Sequence, residues 1–242
     1  MPAPGFHAEA LRRLRLRSLL LTNVDDRARL DAARESAACA IVLDLGVAAG
    51  TSMLAEKIVA EFRAQPKPPL ILVRVGALDS GRSDDDLGAI MSARPDGIVL
   101  PGAVGGRDIA HLSAKLAVHE AEHGIEHGVT RILACAATSA SAVLALASVV
   151  GASRRLAALL FDPEPLAAEL GVAVASEPIR HARSMLLLAA RAASVAAIEG
   201  PSPLPCDTAR LTAACQVAQA DGFAGKMARD PEEVAIIDAN FA

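Results

Sequence analysis

The loudest chemical signal in the chain is His119-Glu120-Ala121-Glu122-His123. It satisfies H-E-x-x-H, in which two imidazoles one helical turn apart ligate zinc beside a glutamate base. His127 extends the same spacing. Against a catalytic centre stand Gly124 and Gly128, which weaken the helix, and a place at the far end of a βα unit, on the amino-terminal rim. The segment therefore reads as a solvated polar helix end, with adventitious metal binding as the other reading. Asp44 and Arg74 end apolar runs (AIVLDL, LILVRV), where a charge has little reason to sit unless it faces the end of a barrel or sheet. A guanidinium there holds a carboxylate or phosphate by paired hydrogen bonds, or simply balances Asp44 across neighbouring strands. Lys226 offers a further cation. The segment from Pro101 to Gly106 presents backbone N–H groups but lacks a P-loop lysine and the spacing of a dinucleotide fingerprint, so it reads as a plain loop. No Ser-His-Asp or Cys-His arrangement follows from these spacings.

The elements that must position these groups are short apolar runs alternating with longer amphipathic ones, the pattern of successive βα units. Strands are predicted over 18–22, 40–45, 70–75, 97–101, 131–136, 156–161, 195–200 and 222–228. Helices are predicted over 26–37, 50–64, 84–93, 106–123, 139–150, 163–170, 176–193, 207–221 and 231–241. Ser83 is expected to cap a helix that opens on Asp84, Asp85 and Asp86, and Asp230 one that opens on Pro231. The count favours a (β/α)8 TIM barrel, with an open doubly wound sheet as the alternative; both put function at the carboxyl ends of the strands.

At 242 residues and 52% hydrophobic the chain can bury one barrel-sized core, made of Ala, Leu, Val and Ile because Trp and Tyr are absent. No linker divides it, so one domain over 1–242 is expected. A net charge of −4 gives no basic footprint for nucleic acid or anionic membrane. The four cysteines, Cys39, Cys135, Cys206 and Cys215, form no C-x-x-C pair and read as reduced thiols. No secretory or membrane-spanning segment stands out, and a cytoplasmic location is expected.

The stretches RSLLLTNVDDRARLDAARESAACAIVLDL (17–45), VRVGALD (73–79), DGIVLP (96–101), ILACAATSASAV (132–143), LAAELG (166–171), IRHARSMLLLAARAASVAAIEG (179–200) and GFAGKMARDPEEVAIID (222–238) resemble, in order and spacing, the citrate lyase beta-subunit group of the HpcH/HpaI aldolases. The resemblance implies a TIM barrel that makes or breaks a carbon–carbon bond in acyl-CoA or 2-hydroxy and 2-oxo acid substrates. It also implies Mg²⁺ held by a Glu after the fifth strand and an Asp after the sixth, and a homo-oligomer, trimeric in the family, or a place in an enzyme complex.

Arg17, Asp44, Arg74 and Thr138 match the family's pattern and are the expected substrate-binding residues. The metal-binding Glu is Ala137, the Asp is Pro165, and the family's arginine after its Thr is Ala140. Asn23-Val24, Gly46-Val47, Gly76 and Gly102 replace a Pro-Gly turn, two acids, an Asn and a Lys, and the match ends before the family's C-terminal lid. No cofactor is expected unless Glu164, with Asp162 or Asp44, rebuilds a magnesium site. Two readings stay open: a lyase with an altered or metal-free site that holds a carboxylate through Arg74, and a non-catalytic barrel kept for binding or complex formation.

Overall fold

Runs such as SLLLTN and AIVLD are too short for helices and apolar on both faces, as a strand is when its inner face packs a lumen and its outer face meets helices. In the computed structural model, which describes residues 16–46, 51–203 and 207–241 and no side chains for 51–53, those runs are the staves of a closed parallel barrel in chain order. β1 (Ser18–Asn23), α1 (Arg27–Glu35), β2 (Ala40–Asp44), α2 (Thr51–Arg63), β3 (Leu70–Arg74) and α3 (Ser83–Ile90) make up its first part. β4 (Gly97–Leu100), α4 (Gly106–Glu122), β5 (Arg131–Ala136), α5 (Ala140–Ala145) and β6 (Leu156–Phe161) follow. α6 (Pro163–Leu170) and α7 (Glu177–Ala192) lead to β7 (Ala196–Glu199), then α8 (Thr208–Asp221), β8 (Gly225–Ala228) and α9 (Pro231–Asn240). The predicted (β/α)8 TIM barrel is the fold, and the open sheet is excluded because β8 pairs with β1, Leu19 opposite Met227.

Closure depends on one glycine. A Cβ on Gly225 would lie 1.9 Å from the Leu16 carbonyl oxygen and 2.4 Å from that of Arg17, so only a residue without a side chain lets β8 dock at the start of β1. Alternation along each strand then sorts side chains into two sets. Leu19, Val42, Leu72, Val99, Leu133, Leu160, Ile198 and Met227 fill the lumen. Their neighbours, among them Leu20, Ile41, Ile71, Ile98 and Leu159, pack outward beneath the helices.

Two local expectations are corrected. The helix predicted over 139–150 ends at Ala145 and continues as a 3₁₀ turn, Leu146–Val149. Ser148 donates its hydroxyl to the Ala145 carbonyl at 2.6 Å and accepts the Gly106 N–H at 2.9 Å, tightening the chain so that the start of α4 docks on it. Ser83 is the first residue of its helix and caps nothing; the Asp86 carboxylate instead accepts the Gly76 N–H at 2.8 Å. Asp230 caps α9 as expected, accepting the Glu232 N–H, with Pro231 at the first helical position. Cys39 and Cys135 are free thiols, and Cys215 is buried in the core, while Cys206 and Val47 lie outside the described residues. Among the described residues no helix is long and apolar enough to cross a membrane.

Candidate active site at the carboxyl-terminal mouth

Strand parity carries Arg74 and Asp44 to the mouth. Val42 and Leu72 face the lumen, so Asp44 and Arg74, two residues further along, share that face at the ends of β2 and β3. They are direct partners in the β2–β3 register, and an Arg74 Nη1 donates to Asp44 Oδ2 at 3.1 Å. Asp44 Oδ1 accepts the Gly46 N–H at 3.0 Å, so both carboxylate oxygens are occupied. Arg74 has a side chain 35% exposed and keeps further N–H donors beside a cavity of about 400 Å³ that it lines.

The floor of that cavity is apolar, with Val99, Leu160 and Met227 of the lumen set around Cys135. Its polar wall is Asn23, Arg29, Arg74, Asp162, Glu164 and Arg229. The exits of β1, β8 and β6 are tied there by a chain of contacts: Arg29 Nη1 donates to the Arg229 carbonyl at 3.1 Å, and Arg229 Nη2 donates to Glu164 Oε1 at 3.2 Å. Asp162 caps α6, its Oδ1 accepting the Glu164 N–H at 3.2 Å. Burial pushes the Cys135 thiol up to about 11, with Asp162 and Asp44 adding to the rise against the pull of Arg74. Cys135 is therefore a protonated, non-nucleophilic thiol at neutral pH.

The remaining expected residues divide. Thr138 follows β5 at the same end but does not line the cavity. Ala137 takes a left-handed backbone (φ 59°), and its fully buried methyl packs with the cluster between strands and helices, not with the lumen. Pro165 lies in the first turn of α6. Arg17 is not brought to the mouth: it precedes β1, at the opposite end of the barrel, 3.7 Å from Asp238 of α9. Lys226 is buried and donates to the Gly200 carbonyl at 2.6 Å. In the loop after β4, three N–H groups are spent inside the protein, Ala103 on the Cys135 carbonyl, Val104 on Asp108 and Gly106 on Ser148, which fits the plain-loop reading.

Arg29 and Arg229 went unnoticed in the sequence. Arg229 directly follows β8, and a charge just past an apolar strand was the available signal; Arg29 sits in the first turn of α1 among ordinary surface letters.

At the other end, Glu120 is no base. It is buried and accepts two guanidinium bonds from Arg155, both at 2.6 Å, and the N–H groups of Gly128 at 2.8 Å and Thr130 at 3.0 Å. Burial alone would raise its carboxyl, but Arg155 and the two amides hold it at about 2.

A family model for the HpcH/HpaI aldolases and citrate lyases matches residues 17–231. No curated protein matches the chain in sequence. Among solved structures, RipC from Yersinia pestis is 23% identical, with 93% of this chain and 94% of that one covered and a TM-score of 0.74. A citrate lyase beta subunit from Mycobacterium tuberculosis with oxaloacetate and magnesium is 22% identical over 95% of this chain and 99% of that one, TM-score 0.75. Protein CitE from M. tuberculosis with magnesium, acetoacetate and coenzyme A is 21% identical over 93% and 80%, TM-score 0.73. At these identities the structural likeness is a likeness of fold.

Proposed function

The chain belongs to the HpcH/HpaI aldolase/citrate lyase family, and from that premise we propose that its carboxyl-terminal mouth binds a small carboxylate, free or as an acyl-CoA, through Arg74 and without the family's magnesium-dependent carbon–carbon cleavage. The observation that carries this is the state of the acids around the cavity. Asp44 is held by Arg74 and Gly46, Glu164 by Arg229, and Asp162 by the start of α6, while Arg74 retains unused donors. Such a wall suits an incoming anion better than an incoming cation.

The residues present do not fit a resident Mg²⁺, which needs oxygen ligands at about 2.0–2.1 Å in near-octahedral order. Ala137 and Pro165 bring no side-chain oxygen. Of the candidate substitutes, Asp44 has both oxygens engaged, while Glu164 shares one oxygen with Arg229 and Asp162 one with the start of α6, which leaves too few protein oxygens for a resident ion. Oxaloacetate and acetoacetate in the two M. tuberculosis neighbours support the ligand class, a short oxo acid. Arg74 would take its carboxylate by charge-assisted hydrogen bonds while Val99, Leu160 and Met227 exclude water beneath it. The second reading, a lyase that works without metal, rests on that same retained arginine. The cytoplasm stays the proposed location, and by the resemblance the protein is a homo-oligomer, trimeric as in the family, or part of an enzyme complex; for the trimer, light scattering should give three times the 24.8 kDa chain mass.

The test is thermal stability with malate, citrate, oxaloacetate or acetyl-CoA, together with a carbon–carbon cleavage assay with and without Mg²⁺. The reading expects a ligand-induced rise in melting temperature in the wild type, none in Arg74→Ala, and no cleavage in either condition. Metal-free cleavage lost in Arg74→Ala supports the second reading, and cleavage that requires Mg²⁺ overturns both.

A further inference from the structure

The amino-terminal end of the barrel holds a cluster of ligand-type side chains that the mouth does not use. Helical geometry at the end of α4 sends Glu120 inward to Arg155, while His119, Glu122 and His123, at i, i+3 and i+4, share another face. One ligand atom from each of these three lies within 4.8 Å of the other two. His119 Nδ1 stands 3.2 Å from Glu122 Oε2, close to the spacing of two ligands around one zinc ion at bond lengths of about 2.1 Å. That nitrogen is buried and has no hydrogen-bond partner.

His123 supplies an independent sign. Its Nδ1 lies 2.9 Å from the His119 carbonyl oxygen. A carbonyl only accepts, so Nδ1 carries the proton and Nε2 keeps its lone pair. A backbone carbonyl that fixes the tautomer in this way is the usual outer support of a metal-bound imidazole. Neighbouring cations are already engaged: Lys115 with Asp84, and Arg94 Nη2 with the carbonyls of His123 and Gly124.

We propose that His119 Nδ1, His123 Nε2 and a Glu122 carboxylate oxygen bind one divalent transition-metal ion of the zinc, cobalt or nickel class. Two imidazoles and a carboxylate suit these borderline cations and not magnesium. Glu122 is 57% exposed, so the remaining coordination positions face solvent and take water. The bound ion clips the last turn of α4. This is the H-E-x-x-H segment with its roles redistributed: the first glutamate is structural, and the second is a ligand.

The test uses the full chain without a purification tag, stripped by a chelator, then titrated with Co²⁺ by visible absorption and with Zn²⁺ by calorimetry. One equivalent should bind saturably, undisturbed by equimolar Mg²⁺ and unchanged in Arg74→Ala, which keeps the outcome separate from the function of the mouth. His123→Ala and Glu122→Gln should each weaken binding by about tenfold or more, with circular dichroism verifying that both fold. His127→Ala, whose ring is 82% exposed and outside the group, should bind as the wild type does. Absence of saturation, displacement by equimolar Mg²⁺, or full affinity in the double variant His119→Ala with His123→Ala overturns the proposal.

Discussion

Two arginine–carboxylate pairs, Arg74–Asp44 and Arg155–Glu120, show how the same two charges read differently according to their burial. Arg74 meets Asp44 at a site where both remain partly in water, so the pair contributes modestly to stability, about 1 kcal/mol. Arg74→Ala should therefore lower the melting temperature by only about 2–4 °C for a chain of this size, and adding Asp44→Asn should recover much of that. Carboxylate affinity should fall about ten- to a hundredfold in both variants, because the charge-assisted contact is lost in each; differential scanning fluorimetry and calorimetry separate the two effects. Glu120 and Arg155 are the opposite case. Both are buried, so Arg155→Met leaves a carboxylate desolvated and should cost about 3–5 kcal/mol, measured by urea unfolding. The sign of the pH dependence follows from the depressed carboxyl, about 2 when folded against 4.5 ordinarily. Its stabilisation is complete above pH 4.5 and disappears as pH falls toward 2. Glu120→Gln should flatten that stretch of the stability profile; an unchanged acid limb would contradict the assignment.

At the level of elements, the strands were legible because each is a short apolar run between polar helices, and the observed strands fall inside or within a residue of the predicted ones. The irregular pieces were not. Nothing in ASAVLALASVV announces that a helix stops at Ala145, because the cause is a serine bonding back to its own backbone and the packing of Gly106. The H-E-x-x-H letters likewise could not reveal that Glu120 belongs to Arg155, which is thirty-five residues further along. Closure of the barrel gives a prediction at this scale. Gly225→Ala drives a methyl group into the Leu16 and Arg17 carbonyls and should destabilise by about 3 kcal/mol. A melting temperature equal to wild type would mean that the β1–β8 seam is looser than its register indicates.

For the molecule as a whole, the barrel sorts its chemistry by end. Strand parity made Asp44 and Arg74 readable at the mouth, whereas Arg29 and Arg229 converge only because β8 returns to β1, a fact of closure that no local stretch encodes. The same geometry took Arg17 out of the site that the family resemblance had suggested, since it lies before its strand and not after it. What remains at the mouth is an apolar floor and a wall of arginines whose neighbouring acids each have at least one oxygen engaged by the protein. If that wall recognises a carboxylate without a metal, ligand affinity and magnesium are uncoupled, and by linkage neither changes the binding of the other. The most direct measurement is the calorimetric affinity of the wild-type protein for oxaloacetate with and without millimolar Mg²⁺. The account predicts saturable binding with the same affinity in both conditions; binding that appears only with Mg²⁺, or strengthens tenfold with it, would contradict the account and restore a metal site at the mouth.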